Sequence, residues 1–213
     1  MTVKAVIWDF GGVITSSPFE AFNRYEAEKG LPHNLFRQVN STNPDSNAWA
    51  MFERNEIDAA GFDVKFLEES TALGHPVRGA EVLTLLSGDV RPAMVAALKA
   101  CKAQFRVGCI TNNVQTGHGA GMARSSDKAN AVAEVMALFE VVIESSKAGV
   151  RKPDPRIYQM MCEALSVAPE HCIYLDDLGI NCKPAAALGM TAIKVSSQDQ
   201  ALAELSAATG LSF

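Results

Sequence analysis

Short apolar runs alternate with amphipathic stretches over most of the chain. The runs have the length and the flanking turn residues of buried strands, and they cover residues 5–8, 107–110, 141–143, 172–175 and 192–195. The stretches between them show helical spacing and cover residues 92–103, 130–138, 155–165, 181–188 and 198–208. Strands that alternate with helices pair in parallel through right-handed crossovers. The pattern therefore predicts a Rossmann-like three-layer α/β sandwich with a parallel central sheet.

Residues 17–90 break this alternation. Their large apolar residues recur at helix-like spacing, and turn residues interrupt them at 43–45 and 74–76. We expect a small helical cap domain, residues 17–90, inserted after the first strand of an α/β core (catalytic) domain made of residues 1–16 and 91–213. Aromatic residues at this spacing are more typical of a helical core than of a cofactor site; they are Trp49, Phe52, Phe62 and Phe66.

Composition and charge limit the class of protein. The 213 residues are 48% hydrophobic and 20% charged, which is typical of a globular chain and argues against disorder. A net charge of -5 provides no basic surface, so we expect no nucleic-acid partner. No apolar run reaches the roughly 18–20 residues of a membrane span, and the first residues lack the pattern of a signal peptide. We therefore expect a cytoplasmic protein that does not bind a membrane.

Two further features predict local properties. The five cysteines are odd in number and none has C-x-x-C spacing, so we expect buried, reduced thiols rather than a metal or redox site. Residues 115–128 are rich in glycine, serine and other small residues, which favours a long mobile loop. Neither feature indicates an oligomeric state.

Polar residues stand where the predicted strands end. Asp9 follows the first strand, Thr111 and Asn112 follow the second, and Asp176 and Asp177 follow the fourth. In an open parallel sheet, ligands bind outside the carboxyl ends of the strands, near the point where the strand order reverses. We therefore expect these side chains to meet at one edge of the sheet.

The charges at this edge indicate what it binds. Asp9, Asp176 and Asp177 bring three negative charges, and Lys152, in the turn before the helix at 155–165, brings one positive charge. This net negative group would repel a phosphate, but one Mg²⁺ would neutralise it, and Mg²⁺ prefers oxygen ligands. An aspartate can attack phosphorus and form an aspartyl-phosphate, and the Thr111 hydroxyl and Lys152 would hold the phosphate oxygens. The residues thus predict a Mg²⁺-assisted phosphate site with Asp9 as the nucleophile.

Four segments, taken in order, resemble the motifs of the haloacid dehalogenase-like hydrolase superfamily. They are WDFGGVI at 8–14, TNN at 111–113, KPDPRIY at 152–158 and YLDD at 174–177. The resemblance continues through NCKPA at 181–185 and LGM at 188–190. It extends over the whole chain, weakly in the insertion.

The resemblance implies a role for each of these positions. Asp9 and Lys152 would be the catalytic residues, and Thr111, Asn112 and Lys152 would bind the substrate phosphate. Magnesium would be held by Asp9, the backbone carbonyl of Gly11, Asp177 and Asp176, with Asp177 as the main ligand of the pair. Asn181, four residues after Asp177, would orient a metal-bound water, and the inserted helices would close over the substrate.

Gly11 departs from the pattern of the superfamily. Its phosphatases usually have a second aspartate two residues after the nucleophile, which protonates the leaving group and activates water. Glycine keeps the carbonyl ligand but has no acid, and general acid–base catalysis typically contributes about 10²–10⁴-fold. We expect good leaving groups, such as acyl or aryl phosphates, to depend less on this acid than alkyl phosphates.

Three functional hypotheses remain open from the sequence. The first is a Mg²⁺-dependent hydrolase, a phosphatase that acts on a small phosphorylated metabolite. The second is a metal-independent 2-haloacid dehalogenase, because that branch also lacks the second aspartate; its first motif, however, resembles Asp-x-Tyr-Gly-Thr, and the pair Asp176–Asp177 fits a metal site better. The third is a catalytically weak phosphate-binding or regulatory module, which Gly11 alone supports.

Overall fold

A parallel five-stranded sheet forms the centre of the structure, a computed structural model that describes residues 2–114 and 126–213. Its strands are β1 (Ala5–Trp8), β2 (Arg106–Thr111), β3 (Val141–Glu144), β4 (Cys172–Asp176) and β5 (Thr191–Lys194). They lie in the order β3-β2-β1-β4-β5, and every neighbouring pair is parallel. The predicted fold class is confirmed, and each predicted strand agrees with the observed bounds to within one residue.

Strand β1 lies in the middle of the sheet. Trp8, its last residue, is in register with Cys109 of β2 on one side and with Leu175 of β4 on the other. The chain builds β2 and β3 on one side of β1 and then β4 and β5 on the opposite side, so the strand order reverses at β1. The residue that follows Trp8 therefore emerges at the point where open α/β sheets bind ligands.

Five helices lie between β1 and the next core helix. They are α1 (Pro18–Glu28), α2 (Leu35–Ser41), α3 (Ala48–Glu53), α4 (Ala59–Ala72) and α5 (Gly79–Leu83), and we call residues 17–90 the helical insert. The two ends of the insert meet, because Thr15 forms an antiparallel bridge with Val90 and the Ser16 N–H donates to the Asp89 carbonyl at 2.8 Å. That the insert is a cap domain stays a prediction.

The aromatic residues of the helical insert form its own core. Phe36, Phe62 and Phe66 are fully buried there, and the rings of Trp49 and Phe62 lie 4.7 Å apart in an edge-to-face arrangement. Edge-to-face ring pairs at this distance stabilise the fold by more than the burial of their apolar surface alone. The expectation that these aromatics pack on one another is confirmed.

Helices cover both faces of the sheet. They are α6 (Pro92–Lys102), α7 (Ser126–Met136), α8 (Ser145–Ala148), α9 (Pro155–Leu165), α10 (Gly179–Ala187) and α11 (Gln198–Thr209), with a 3₁₀ turn at Pro169–His171. Because side chains alternate along a strand, Val6 and Trp8 pack with α6, α7 and α11, whereas Ala5 and Ile7 pack with α9 and α10. These two apolar clusters make the three layers.

Two predicted helices and the predicted loop have wrong boundaries. The helix predicted at 130–138 is α7, which begins at Ser126. The apolar periodicity did not reveal this start because the first residues of the helix are polar. The loop predicted at 115–128 therefore ends before α7, and residues 115–125 lie outside the described residues. The helix predicted at 181–188 is α10, which begins at Gly179 because the Asp176 carboxylate accepts the Leu178 N–H at 2.8 Å and starts the turn early.

The state of the cysteines agrees with the prediction from the sequence. All five cysteines are buried and free, as predicted. Among the described residues, no helix combines the length and the apolar character that crossing a bilayer requires.

Candidate active site

Asp9 is the first residue after the central strand. Its backbone N–H donates to the Leu175 carbonyl at 2.8 Å and so continues the register of β1 with β4. The next residue, Phe10, donates its N–H to Asp9 Oδ1 at 2.7 Å. Asp9 is buried, with 7% of its surface exposed. The strand and its turn therefore hold Asp9 in one orientation.

Lys152 lies between two of the predicted acids. Its Nζ is 2.8 Å from Asp9 Oδ1 and 2.7 Å from Asp176 Oδ2, and its side chain is 1% exposed. Burial alone would lower the pKa of Lys152, but Asp176 and Asp9 outweigh burial and raise it. The lysine is therefore a permanent ammonium between two carboxylates.

Asp176 is fully buried and surrounded by donors. Besides Lys152, its carboxylate accepts from the Tyr174 hydroxyl and from the Leu178 N–H. Asn181 Nδ2 adds contacts of 3.1 Å to both Asp176 oxygens. Since a carboxylate has about four lone-pair sites, this set nearly saturates Asp176. Asn181, to which the resemblance assigns a metal-bound water, lies in the first turn of α10 and donates to Asp176.

Asp177 is the more open member of the pair. It is half-buried and accepts a hydrogen bond from Ser17 Oγ at 3.0 Å, where the helical insert begins. Burial, with a further contribution from Asp176, raises the pKa of Asp177 to about 6. Asp177 can therefore take a ligand on its free positions, which Asp176 cannot do without losing its donors.

The three acids form one cluster. Asp9, Asp176 and Asp177 each offer a carboxylate oxygen, and these oxygens lie within 4.8 Å of one another. Burial raises the pKa of Asp9 well above its usual range, Lys152 opposes that rise, and the other two acids add to it. One lysine thus does not balance three carboxylates, and the cluster retains an excess of negative charge.

Gly11 and Gly12 differ although both follow closely after Asp9. Gly12 has φ +78°, and a Cβ built there would lie 2.1 Å from Asp177 Oδ2, so Asp177 packs directly on this glycine. Arg91 Nη1 fixes the same turn by donating to the Gly12 carbonyl at 2.9 Å. Gly11 lies outside the left-handed region, and the nearest atom to its added Cβ is Pro18 Cδ at 3.9 Å. Of these two positions, only Gly11 could carry a Cβ without a clash.

Thr111 and Asn112 end strand β2 beside the acids. Thr111 is buried and lines the cavity described below. Asn112 clamps the backbone of Lys152: its Oδ1 accepts the Lys152 N–H at 2.9 Å, and its Nδ2 donates to the Lys152 carbonyl at 3.0 Å. The same amide nitrogen lies 3.1 Å from Glu53 Oε2 in the helical insert. The structure therefore brings both predicted residues to the site. The Asn112 side chain binds the turn that carries Lys152, just before α9, which we call the lysine turn.

Sequence reasoning missed three residues of this site. Tyr174 precedes Asp176 by two positions in β4, so the strand period places it on the same face, and this signal was available. Ser17 precedes Pro18 and has the pattern of a helix cap, while Glu53 lies within the aromatic pattern of the helical insert. Nothing local distinguishes Ser17 or Glu53 from residues that serve only their own helices.

A cavity of about 630 Å³ opens on the cluster. The core contributes its polar end, including Asp9, Thr111 and Lys152. The helical insert contributes apolar and aromatic residues, which include Phe19, Phe22, Trp49 and Leu86, and also polar ones, which include Arg37, Asn40 and Asp45. Such a cavity has the size and the lining of a small-molecule site.

The sequence model described as hydrolase, haloacid dehalogenase-like hydrolase, matches residues 3–189. The chain belongs to the haloacid dehalogenase-like hydrolase family. This confirms the resemblance carried by the four motifs, and the chain is a hydrolase of this family.

Curated relatives of this haloacid dehalogenase-like hydrolase include proteins longer than the matched region. It is 35% identical to bifunctional epoxide hydrolase 2 of Mus musculus over 230 residues, which cover 100% of this chain and 40% of that relative. It is 33% identical to phosphatase MT3486 of Mycobacterium tuberculosis over 112 residues, which cover 53% of this chain and 47% of that relative. The chain spans between 19% and 47% of the length of these and similar curated relatives.

A solved structure of the same family shares the fold. It is the enzyme BT-2542 of Bacteroides thetaiotaomicron in complex with magnesium and inorganic phosphate, with a TM-score of 0.60 and 18% identity. The match covers 92% of this chain and 96% of that one. The parallel sheet and its helices are therefore those of a haloacid dehalogenase-like hydrolase.

We predict that Lys152→Met lowers the free energy of unfolding by about 3–5 kcal/mol, because it leaves Asp9 and Asp176 buried without their counter-charge. Urea denaturation in the absence of metal measures this loss. The matched control is Lys147→Met, which removes an exposed lysine paired with Glu144 and should cost less than about 1 kcal/mol. Equal losses in the two variants would show that the buried ammonium does not balance the acids.

Proposed function

We propose that the protein is a Mg²⁺-dependent phosphatase that hydrolyses a small phosphorylated metabolite through an aspartyl-phosphate on Asp9. The observation that carries the proposal is the buried cluster of three acids around Lys152, at the switch point of the sheet and open to a cavity. Membership of a hydrolase family supports it. So do the magnesium and phosphate bound by the BT-2542 enzyme and the name of the mycobacterial relative, a phosphatase.

The donor set of the cluster fits a magnesium ion. Mg²⁺ is usually held by one or two carboxylates together with water and phosphate oxygens. Asp9 and Asp177 are the two carboxylates with free positions, since Asp176 is nearly saturated by its own donors. The Gly11 carbonyl would be a further ligand. Asp176 would act indirectly, by holding Lys152 in place. The bound ion would neutralise the excess negative charge and polarise the phosphate oxygens.

Asp9 would attack phosphorus with Oδ2. Lys152 Nζ and the Phe10 N–H both bind Oδ1, which fixes the rotation of the carboxylate and leaves the other oxygen for attack. The bond from Oδ2 to phosphorus forms as the bond from phosphorus to the leaving oxygen breaks. Thr111 and Lys152 would hold the phosphoryl oxygens during the transfer. Water then attacks the same phosphorus, which releases inorganic phosphate and restores Asp9.

Gly11 determines which leaving groups depart easily. With no carboxyl group at position 11, the acid that usually protonates the leaving oxygen and accepts the proton of the attacking water is missing. An acyl or aryl phosphate leaves without much protonation, whereas an alkyl phosphate does not. The proposed substrate is therefore a phosphate with a good leaving group, and the step from aspartyl-phosphate to product is expected to be slow.

The helical insert would be the cap of this site, with the domains divided at 16/17 and 90/91. Its two chain ends meet at Thr15 and Val90, so the insert can change its seating on the core while both connections stay together. Its aromatic walls face the organic part of a substrate, and the polar end of the cavity faces the phosphate. The insert thus selects the substrate, and the core performs the chemistry.

We predict Mg²⁺-dependent release of phosphate from aryl or acyl phosphates, measured across a panel of phosphorylated metabolites. Asp9→Asn should lower kcat at least about 10³-fold because it removes the nucleophile, and EDTA should abolish turnover. Asp199→Asn, an exposed residue of α11, is the control and should keep full activity. The proposal fails if no member of the panel is hydrolysed, or if the protein instead dehalogenates 2-haloacids in the presence of EDTA.

Gly12→Ala should weaken Mg²⁺ binding at least about ten-fold, because the added Cβ occupies the position of the Asp177 carboxylate and the positive φ disfavours alanine. Isothermal titration of the folded variant with Mg²⁺ measures the affinity. Gly11→Ala adds the same methyl group where nothing lies nearer than 3.9 Å, and it should bind Mg²⁺ as the wild type does. Equal affinities in the two variants would remove Asp177 from the proposed ligands.

Gly11→Asp should increase kcat for alkyl phosphates by about 10-fold or more and for aryl phosphates by less, since it supplies an acid where the cavity has room. Gly11→Asn places a side chain of the same shape without the acid and should give no increase. The measurement is the ratio of kcat in Gly11→Asp to kcat in the wild type, taken once with an alkyl phosphate and once with an aryl phosphate. A uniform gain, or none with Mg²⁺ binding intact, would contradict the role of Gly11 as a missing acid.

A further inference from the structure

Glu53 reaches from the helical insert into the catalytic side of the cavity. It is the last residue of α3, yet its Oε2 lies 2.6 Å from Arg151 Nε and 3.1 Å from Asn112 Nδ2, both of which belong to the core. The side chains of Glu53 and Arg151 are 15% and 22% exposed. Ion pairs on the surface contribute little to protein stability. Removing one partner of a pair that is withdrawn from water is costly, because the other charge is left without its counter-charge.

Both partners of Glu53 are attached to Lys152. Arg151 is its neighbour in the chain, and Asn112 clamps its backbone N–H and carbonyl at 2.9 and 3.0 Å. Lys152 in turn holds Asp9 Oδ1 at 2.8 Å. A continuous series of contacts, each 3.1 Å or shorter, therefore joins α3 of the insert to the nucleophile.

A second contact fixes the same part of the insert. Arg151 Nη1 donates to the Pro44 carbonyl at 3.1 Å, in the segment between α2 and α3. Arg151 thus holds the insert at two points, of which Glu53 is the charged one. These contacts lie far along the chain from Ser16 and Asp89, where the insert joins the core.

Glu53 is poorly suited to bind the phosphate itself. A carboxylate repels a phosphate, and the oxygen nearest the core is already shared between Arg151 and Asn112. The geometry points instead to a positioning residue: we propose that Glu53 couples the seating of the helical insert to the position of Lys152, and hence of Asp9. The insert then aligns the nucleophile when it covers the cavity. This inference rests on the proposed phosphatase function.

Glu53→Ala should lower kcat for an aryl phosphate by about 10-fold to 100-fold, the loss typical of a catalytic group displaced by about 1 Å. KM should change less than about three-fold, because the Glu53 carboxylate is engaged by Arg151 and Asn112 and is not proposed to bind the phosphate. Glu53→Gln keeps an acceptor for Asn112 and loses the charge toward Arg151, so its kcat should lie between those of Glu53→Ala and the wild type. Assays well below the melting temperature of each variant separate this effect from a loss of stability.

The matched control is Glu56→Gln. Glu56 is three residues further on, and it also forms a short ion pair, at 2.6 Å with Arg54, but its side chain is 47% exposed and it contacts no residue of the series. It should keep the wild-type kcat. Unchanged kcat in Glu53→Ala, with an active wild type, would overturn the coupling and leave the phosphatase function intact, whereas an inactive wild type would overturn the function.

Hydrogen exchange gives a readout that does not depend on turnover. In the wild type with Mg²⁺, orthovanadate should slow amide exchange in residues 150–154 and also in residues 48–53, since binding at one end of a coupled system stabilises the other. In Glu53→Gln the protection should be confined to residues 150–154. Protection of 48–53 that is equal in both proteins, or absent from the wild type, would contradict the coupling.

Discussion

The ammonium of Lys152, buried between Asp9 and Asp176, is the interaction on which the site depends. Two carboxylates at this depth would repel each other and take up protons if no cation lay between them. Lys152 meets both at less than 3 Å, and Tyr174 and Asn181 complete the shell of Asp176. The pair Lys152–Asp176 therefore acts as a fixed support, and Asp9 and Asp177 keep free positions toward the cavity.

The topology of the sheet brings this support together. Asp9 leaves the central strand, Asp176 and Asp177 leave its neighbour β4, and Thr111 and Asn112 leave β2 on the other side. Lys152 comes from the turn before α9, and its position depends on side-chain contacts, above all on the Asn112 clamp. A lysine on a turn is less constrained than a residue on a strand. Contacts from the helical insert reach the core at this same turn, through Arg151 next to Lys152.

The sequence predicts the parts of the structure whose physical cause is local. Apolar runs identified all five strands to within one residue, because a buried parallel strand needs such a run. Boundaries failed where a distant or polar group decides them, as at α10, where the Asp176 carboxylate starts the helix. The acids and the lysine were predictable from their places after strands and in the lysine turn. Ser17 and Glu53 were not, because only the folding of the insert onto the core gives them partners in the site.

The two glycines after Asp9 show how similar residues carry different constraints. By its local sequence alone Gly11-Gly12 indicates a turn, and only the resemblance gives Gly11 a place in the site. In the structure, Gly12 is required by its positive φ and by the carboxylate of Asp177 against it, so no other residue fits without moving a proposed metal ligand. Gly11 has an ordinary backbone and open space beside Pro18, so sterics do not explain its lack of a side chain. Under the proposed function, a site with Asp9, Lys152 and the acid cluster but no acid at position 11 would turn over fastest on substrates whose leaving groups need no proton.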